Sequence, residues 1–176
     1  MKINPGFGVW ITGFPGSGKS VRARALADKL LGVGIKVQIL EADILRKVLT
    51  PHPTYSPQER DAFYGSVVHI GWLLVKNGIN VIFDATANRR RYREEARKKI
   101  DKFIEVYVRC PLEVCMHRDP KGIYKKAKTG QASMVPGIQV AYEESLNPEV
   151  ITSSVEETPE ASAKIILQKL KALAFI

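Results

Sequence analysis

The run Gly13-Phe14-Pro15-Gly16-Ser17-Gly18-Lys19-Ser20 is a complete GxxxxGKS, and it constrains this chain more than any other stretch. It follows a short β-rich run, Gly8 to Thr12, and opens a segment, Lys19 to Leu31, whose apolar residues recur at helical spacing before Gly32 and Gly34. Strand, glycine-rich turn and helix in that order make a phosphate-binding loop. The glycines let backbone N–H groups turn inward around an anion, and the helix N-terminus adds its positive end. Lys19 can then reach the β and γ phosphates, and the Ser20 hydroxyl can ligate Mg²⁺. A glycine-rich turn with an incidental lysine would not require the flanking strand and helix. Residues Gly13, Phe14, Pro15, Gly16, Ser17, Gly18, Lys19 and Ser20 are therefore the candidate ATP site.

The rest of the chain repeats the alternation. Strands are predicted at Lys36 to Leu40, Ile79 to Phe83, Phe103 to Val108 and Val150 to Thr152. Helical patterns fall between them. A short one covers Ile44 to Leu49, and a long one runs to about Lys76, opened by the N-cap signature Ser56-Pro57-x-Glu59 and closed by Asn77-Gly78. A basic helix follows at Arg90 to Ile100, a short helix at Pro111 to His117, and a closing helix at Pro159 to Leu173 with Ile165, Ile166, Leu170 and Leu173 on one face. Strands separated by helices predict an α/β three-layer fold of the P-loop NTPase type, a five-stranded parallel sheet with helices on both faces. At the usual ~150 residues per domain, the 176 residues read as one domain spanning 1–176. The stretch from Asp119 to Tyr142 has no sustained periodicity and carries Lys121, Lys125, Lys126 and Lys128. It is the expected basic lid over the sheet's C-terminal edge.

The charge balance needs an explanation: 27 Lys and Arg against 18 Asp and Glu leave +9. A chain this basic suits a polyanion, whether nucleic acid, an acidic membrane or small phosphorylated ligands. The longest apolar run, Val67 to Val75, is interrupted by His69 and Gly71 and falls far short of the ~20 residues a membrane span requires. Met1 to Gly6 has no apolar leader core, so a cytoplasmic location is expected. Cys110 and Cys115, with His117 nearby, match no zinc or CxxC spacing and read as two buried reduced thiols.

Two acids are placed where α/β sheets bind ligands. Asp43, in Leu40-Glu41-Ala42-Asp43, ends the second predicted strand and can accept the proton of an attacking hydroxyl and help hold Mg²⁺; the alternative is an N-cap for the short helix after it. Asp84 ends the third strand, with a metal role or a capping role open. In the basic helix Arg90, Arg93 and Arg97 share a face, while Arg90 to Glu94 and Arg91 to Glu95 have the i,i+4 spacing of ion pairs. That helix is either a self-neutralised solvated face or an anion contact, with Arg90 or Arg93 nearest the active edge.

Among P-loop classes, a GTPase lacks its guanine-reading NKxD here. A motor or transporter ATPase needs more chain and a strand ending in two acids. A small kinase fits, and the chain resembles the adenylylsulfate (APS) kinase family, which phosphorylates the 3′-hydroxyl of adenosine 5′-phosphosulfate with MgATP. The resemblance runs through Phe103-Ile104-Glu105-Val106, Pro111-Leu112-x-Val114-Cys115, Arg118-Asp119-Pro120-Lys121-Gly122-x-Tyr124-Lys125, Gly137-Ile138, Tyr142-Glu143 and Asn147-Pro148-Glu149. It implies that Asp43 is the catalytic acid beside Lys19, that Ser20 and Asp43 serve the metal, and that Arg46, Tyr55 and Arg60 hold APS. Arg90 and the lid's Lys121 fall on the substrate side, and Arg118 packs near the ATP adenine.

The chain departs from the family pattern in places. Where the family has Asn and then Arg on the helix after the aromatic-Ser pair Tyr55-Ser56, this chain has Phe63 and Gly65. The lid Lys and Phe are Ser133 and Val135, its Thr and Asp are Pro136 and Gln139, and a family Ser aligns with Ala87. Phe83-Asp84-Ala85-Thr86-x-Asn88 is similar to the DATN segment of neighbouring P-loop kinases that act on nucleosides, nucleic-acid ends or other alcohols. The expected function is APS phosphorylation, with a related kinase for another nucleoside, nucleotide or small alcohol as the alternative, and a non-catalytic nucleotide- or nucleic-acid-binding protein as a third. The expected ligands are ATP, Mg²⁺ and APS, with neither nucleic acid nor membrane as partner. Oligomeric state is open, a homodimer included. An opposite-charge pair at ~4 Å is worth about 4 kcal/mol at an effective dielectric near 20, so the +9 is better matched to two small anions in one cleft than to a polymer.

Overall fold

The computed structural model describes residues 4–176. Five parallel strands, β1 (Gly8–Thr12), β2 (Val37–Glu41), β3 (Asn80–Asp84), β4 (Phe103–Arg109) and β5 (Val150–Ser153), lie in the order β2-β3-β1-β4-β5. The predicted α/β class holds. The chain leaves the central β1 for the edge strand β2, returns to β3 beside β1, and then crosses to β4 and β5 on the other side, so the carboxyl end of β1 is the sheet's switch point, where such folds bind ligands.

Alternation along β1 divides the core between the two faces of the sheet. Trp10 joins Phe83, Val67, Val68 and Tyr92 under helices α3 (Pro57–Lys76) and α4 (Arg90–Lys99). Val9 and Ile11 join Leu26, Leu30, Ile166 and Leu170 under α1 (Lys19–Leu31) and α7 (Pro159–Ala172). Trp10 and Phe83 stack at 4.7 Å between centroids, a pairing worth about 1 kcal/mol beyond burial. Gly71 brings α3 onto that pair, since a Cβ there would overlap the Phe83 ring. Ser56 caps α3 by accepting from the Glu59 N–H at 3.2 Å, with Pro57 as first helical residue.

Several expectations are corrected. The closing helix buries Ser162, Ala163, Ile166 and Leu170, whereas Ile165 and Leu173 are exposed. The stripe follows 3.6-residue spacing from Ala163, whose small side chain fits against α1. Strand β2 runs through Glu41, and helix α2 (Ala42–Leu49) starts at Ala42 with Glu41 as its N-cap. Asp43 therefore lies inside the first helical turn and caps nothing. Asp84 caps nothing either, because α4 begins six residues later with Arg89 at its N-cap. The segment 119–142 is not uniformly irregular. After α5 (Leu112–Arg118) it forms a short α6 (Ile123–Lys128), whose Tyr124 and Ala127 pack with Val135, Cys115 and Cys110 into a third apolar cluster. Both cysteines are buried free thiols. Among the described residues no helix is long and apolar enough to cross a membrane.

Candidate active site

The phosphate-binding loop joins β1 to α1 at the switch point. Gly13, Gly16 and Gly18 have φ of 152°, 78° and 88°, values that a residue with a Cβ adopts only under strain. At Gly13 space adds to conformation: a Cβ would lie 2.7 Å from the Val108 carbonyl and from Ser17 Oγ. Lys19 Nζ crosses the loop to donate to the Phe14 carbonyl at 2.9 Å. Burial pushes its ammonium below the ordinary lysine value, and the charges of Asp84 and Asp43 offset part of that effect. Asp84 stands opposite Ile11 in the β1–β3 register and opposite Glu41 in the β2–β3 register, so the loop, Asp84 and the start of α2 share one edge. Ser17 Oγ is buried with no hydrogen-bond partner.

Asp43 is exposed on that edge, and the lid's Lys121 reaches back to pair with its carboxylate. Three residues on, Arg46 is held from three directions. Its guanidinium lies 3.7 Å over the centroid of Phe63 and 4.9 Å from that of Tyr55, and its Nη1 donates to Glu59 Oε1 at 3.1 Å and to Thr50 Oγ1 at 3.4 Å. Burial raises the Glu59 carboxyl, but the Thr54 hydroxyl, the Thr54 and Tyr55 N–H groups and Arg46 outweigh it and leave Glu59 below the usual carboxylate range. A cavity of about 280 Å³ opens here, lined by Asp43, Arg46, Lys47, Thr50 and Tyr55 among others.

Arg60 is buried, and all three of its nitrogens donate to the protein. Nε bonds the Tyr55 carbonyl at 3.0 Å, Nη1 bonds Asn88 Oδ1 at 3.0 Å, and Nη2 bonds the Met134 carbonyl of the lid. Asn88 completes this junction through Nδ2 to the Ala141 carbonyl at 3.0 Å, while its own carbonyl accepts from the Glu143 N–H at 2.7 Å. A second cavity, about 480 Å³, lies beside the junction, lined by Arg60, Asn88, Arg89, Arg91 and lid residues. Three residues with positive φ, Tyr55, Ala87 and Met134, belong to this junction. Each such conformation costs about 1 kcal/mol or more and persists only where its surroundings over-determine it.

In the basic helix Arg91, Glu94, Glu95, Lys98 and Lys99 are exposed, while the inward arginines are taken up by protein groups. Arg93 is fully buried, its Nε 2.7 Å from Glu105 Oε1 and its Nη2 bonded to the Glu143 carbonyl. Arg97 forks onto Glu149 at 2.6 and 2.9 Å. The expected Arg90–Glu94 and Arg91–Glu95 pairs do not form among the described residues. Arg91 pairs with Asp61, and Arg90 turns to the Glu143 carboxylate and the Glu144 carbonyl. Acids on α3 and after the lid take the place of the helix's own glutamates because each is already fixed at the helix, Asp61 by the Tyr92 hydroxyl at 2.6 Å and Glu143 by the Arg90 N–H at 2.8 Å, whereas an exposed i,i+4 partner gains little. Arg118 lies on the other side of the loop, its Nη1 on Ser154 Oγ at 3.0 Å and its Nη2 on the Ser154 carbonyl at 2.9 Å.

Three contributors had been given no site role. Asn88 was visible only as part of the DATN segment, and Glu59 only as the third helical residue of a cap signature. Tyr142 lies against Phe14 of the loop, 4.8 Å between centroids, and shares a 2.9 Å hydrogen bond with Thr12. Burial pushes its phenol up to about 12. No local pattern marks it, since its partners are 128 and 130 residues away in the chain.

A phosphate-binding loop at the switch point, an exposed carboxylate beside it and a basic lid above define a P-loop kinase. The adenylylsulphate kinase family model matches residues 5–153. A "Probable adenylyl-sulfate kinase" of Pyrococcus abyssi is 42% identical over 171 residues, covering 97% of this chain and 98% of the relative. The adenylyl-sulfate kinase of Picosynechococcus is 38% identical, with 97% of each covered. This chain belongs to the adenylylsulphate kinase family. Among solved structures, the Mycobacterium tuberculosis APS kinase in complex with AMPPNP and APS is 32% identical with a TM-score of 0.89, over 95% of this chain and 98% of that one. A gluconokinase from Sinorhizobium meliloti, at 18% identity and a TM-score of 0.61, shares the fold alone.

Proposed function

We propose that the protein transfers the γ-phosphoryl group of ATP to the 3′-hydroxyl of adenosine 5′-phosphosulfate, giving 3′-phosphoadenosine 5′-phosphosulfate and ADP. The observation that carries this reading is the placement of Asp43: an exposed carboxylate, charge-coupled to the P-loop Lys19 and paired with a lid lysine. The relative that binds AMPPNP and APS matches nearly the whole chain. The loop and Lys19 hold the phosphates. The acceptor oxygen bonds to the γ-phosphorus as the bond to the β–γ bridging oxygen breaks, and its proton passes to Asp43. Such general-base help is worth about 10² to 10⁴ in rate. Lys121 screens the carboxylate from the incoming phosphate charge, Arg46 offers its free edge to the acceptor's phosphosulfate, and Arg60 shapes the pocket wall through Tyr55 and the lid.

Mg²⁺ fits the donor set. Ser20 supplies a hydroxyl and Asp43 and Asp84 supply carboxylates on the same edge. Among the described residues no three His, Cys, Asp or Glu side chains cluster for a metal, which suits a hard cation that takes most of its ligands from phosphate and water. When bound it neutralises charge developing on the transferring group. The test is a panel of alcohol acceptors with γ-labelled ATP. Label in 3′-phosphoadenosine 5′-phosphosulfate is expected, and label appearing only in another nucleoside or alcohol overturns the proposal.

A further inference from the structure

We infer that Phe63 is a positioning residue for the acceptor: its ring is the platform that fixes the Arg46 guanidinium against Asp43's side of the site. The inference rests on the reading of Arg46 as an acceptor contact and deepens it. Helix α2, which carries both Asp43 and Arg46, has no buried residue. It leans on α3 through Ala42 and Leu45, and the Arg46 side chain is held by Phe63 at 3.7 Å, Tyr55 at 4.9 Å and hydrogen bonds to Glu59 and Thr50, with Phe63 the nearer of the two rings. Phe63 is 1% exposed, wedged edge-on against Tyr64 at 5.2 Å, and cannot itself move. A guanidinium carbon 3.7 Å over that ring's centroid is close enough for the ring quadrupole and dispersion both to act.

Glu59 and Thr50 occupy Nη1. Nε and Nη2 have no protein partner among the described residues, so the stacked plane presents them as a fixed pair of donors. Two parallel N–H groups held in one plane match an anionic oxygen pair such as a phosphosulfate presents. A ring does this where a polar side chain would not: it fixes the plane of the guanidinium without using any of its donors.

The experiment is steady-state kinetics of Phe63→Leu, Phe63→Tyr, Arg46→Ala and the Arg46→Ala/Phe63→Leu double variant, with the melting temperature of each. Phe63→Leu is expected to raise KM for APS about five- to thirty-fold, with kcat and KM for ATP within about twofold of the parent. Phe63→Tyr, which keeps the flat ring, is expected to restore KM. Partial unfolding removes active enzyme and lowers kcat without raising KM, so a structural role alone has a different signature. The double variant is expected to be no worse than Arg46→Ala, because Phe63 acts through Arg46. An unchanged KM in Phe63→Leu while Arg46→Ala raises it, or losses that add in the double variant, overturns the inference and leaves the Arg46 reading standing. An unchanged KM in Arg46→Ala overturns that reading and the inference with it.

Discussion

The two halves of the site meet at one sheet edge but are made by opposite means. The nucleotide side is a backbone object: its shape follows from three glycines at positive φ and from the absence of a Cβ where Val108 approaches. The proposed acceptor side is made of side chains leaning on one another across α2, α3, the β3–α4 loop and the lid, with Arg46 on Phe63 and Glu59, and Arg60 on Tyr55, Asn88 and Met134. A backbone site fails as a whole when one atom is added. A side-chain site is expected to fail by degrees.

Substitutions can break that contrast, and the largest effect belongs to the loop. Lys19→Ala is expected to lower kcat/KM by on the order of 10³, as the loss of a transition-state charge contact does, and retained turnover removes the loop from the mechanism. Gly13→Ala, which adds only a methyl group, should come close to it in an ATP-binding titration. If Gly13→Ala binds ATP normally, the nucleotide side is not a backbone object. Asp43→Asn should reduce kcat by roughly 10²-fold with KM for ATP unchanged. An unaltered kcat would falsify its role as base.

Glu105→Gln tests the acceptor half through its support. It leaves the buried Arg93 charge without its partner, and should cost about 3 kcal/mol or more in a denaturant titration. Loss of that pair also frees the Glu143 carbonyl that Arg93 holds, so KM for APS should rise while KM for ATP does not. The smallest effect is on pH dependence. Burial raises the Glu149 carboxyl, but the Arg97 fork and the Glu105 N–H outweigh it and hold its folded value below the ordinary range. Its stabilisation is therefore complete above the ordinary carboxylate value of about 4.3 and is lost as pH falls through the lower folded value. Glu149→Gln should lose about 1 kcal/mol at neutral pH and show a shallower acid decline. Parallel acid limbs for variant and parent would show that Glu149 contributes nothing there.

The same contrast explains what was legible in the sequence. The loop, the strands and the capped α3 are local, decided by glycine, alternation and a Ser-Pro start, and each lies within a residue or so of its expected place. Arg93 is open in the sequence between a solvated face and an anion contact because the acid that claims it, Glu105, lies on the next strand, and no local pattern marks a buried ion pair. The alternative of a cap for Asp43 arises because the alternation ends β2 at Leu40, one residue short of Glu41. Resemblance puts Arg60 on the substrate, and the three protein acceptors that take three of its five N–H groups emerge only with Tyr55, Asn88 and Met134 beside it.

The lid is fastened at both ends, through the Tyr124 hydroxyl to the Pro15 carbonyl at 2.9 Å and through Asn88 and Arg93 to the chain at 141–143. A strap pinned on both banks cannot swing like a door; it can only bow. Between its ends Arg60 holds the Met134 carbonyl, and Lys126 and Lys128 lie exposed just before Gly130, at φ of 72°. Limited trypsin treatment should nick the chain there first, leaving two fragments that stay together because each bank keeps its own fastening.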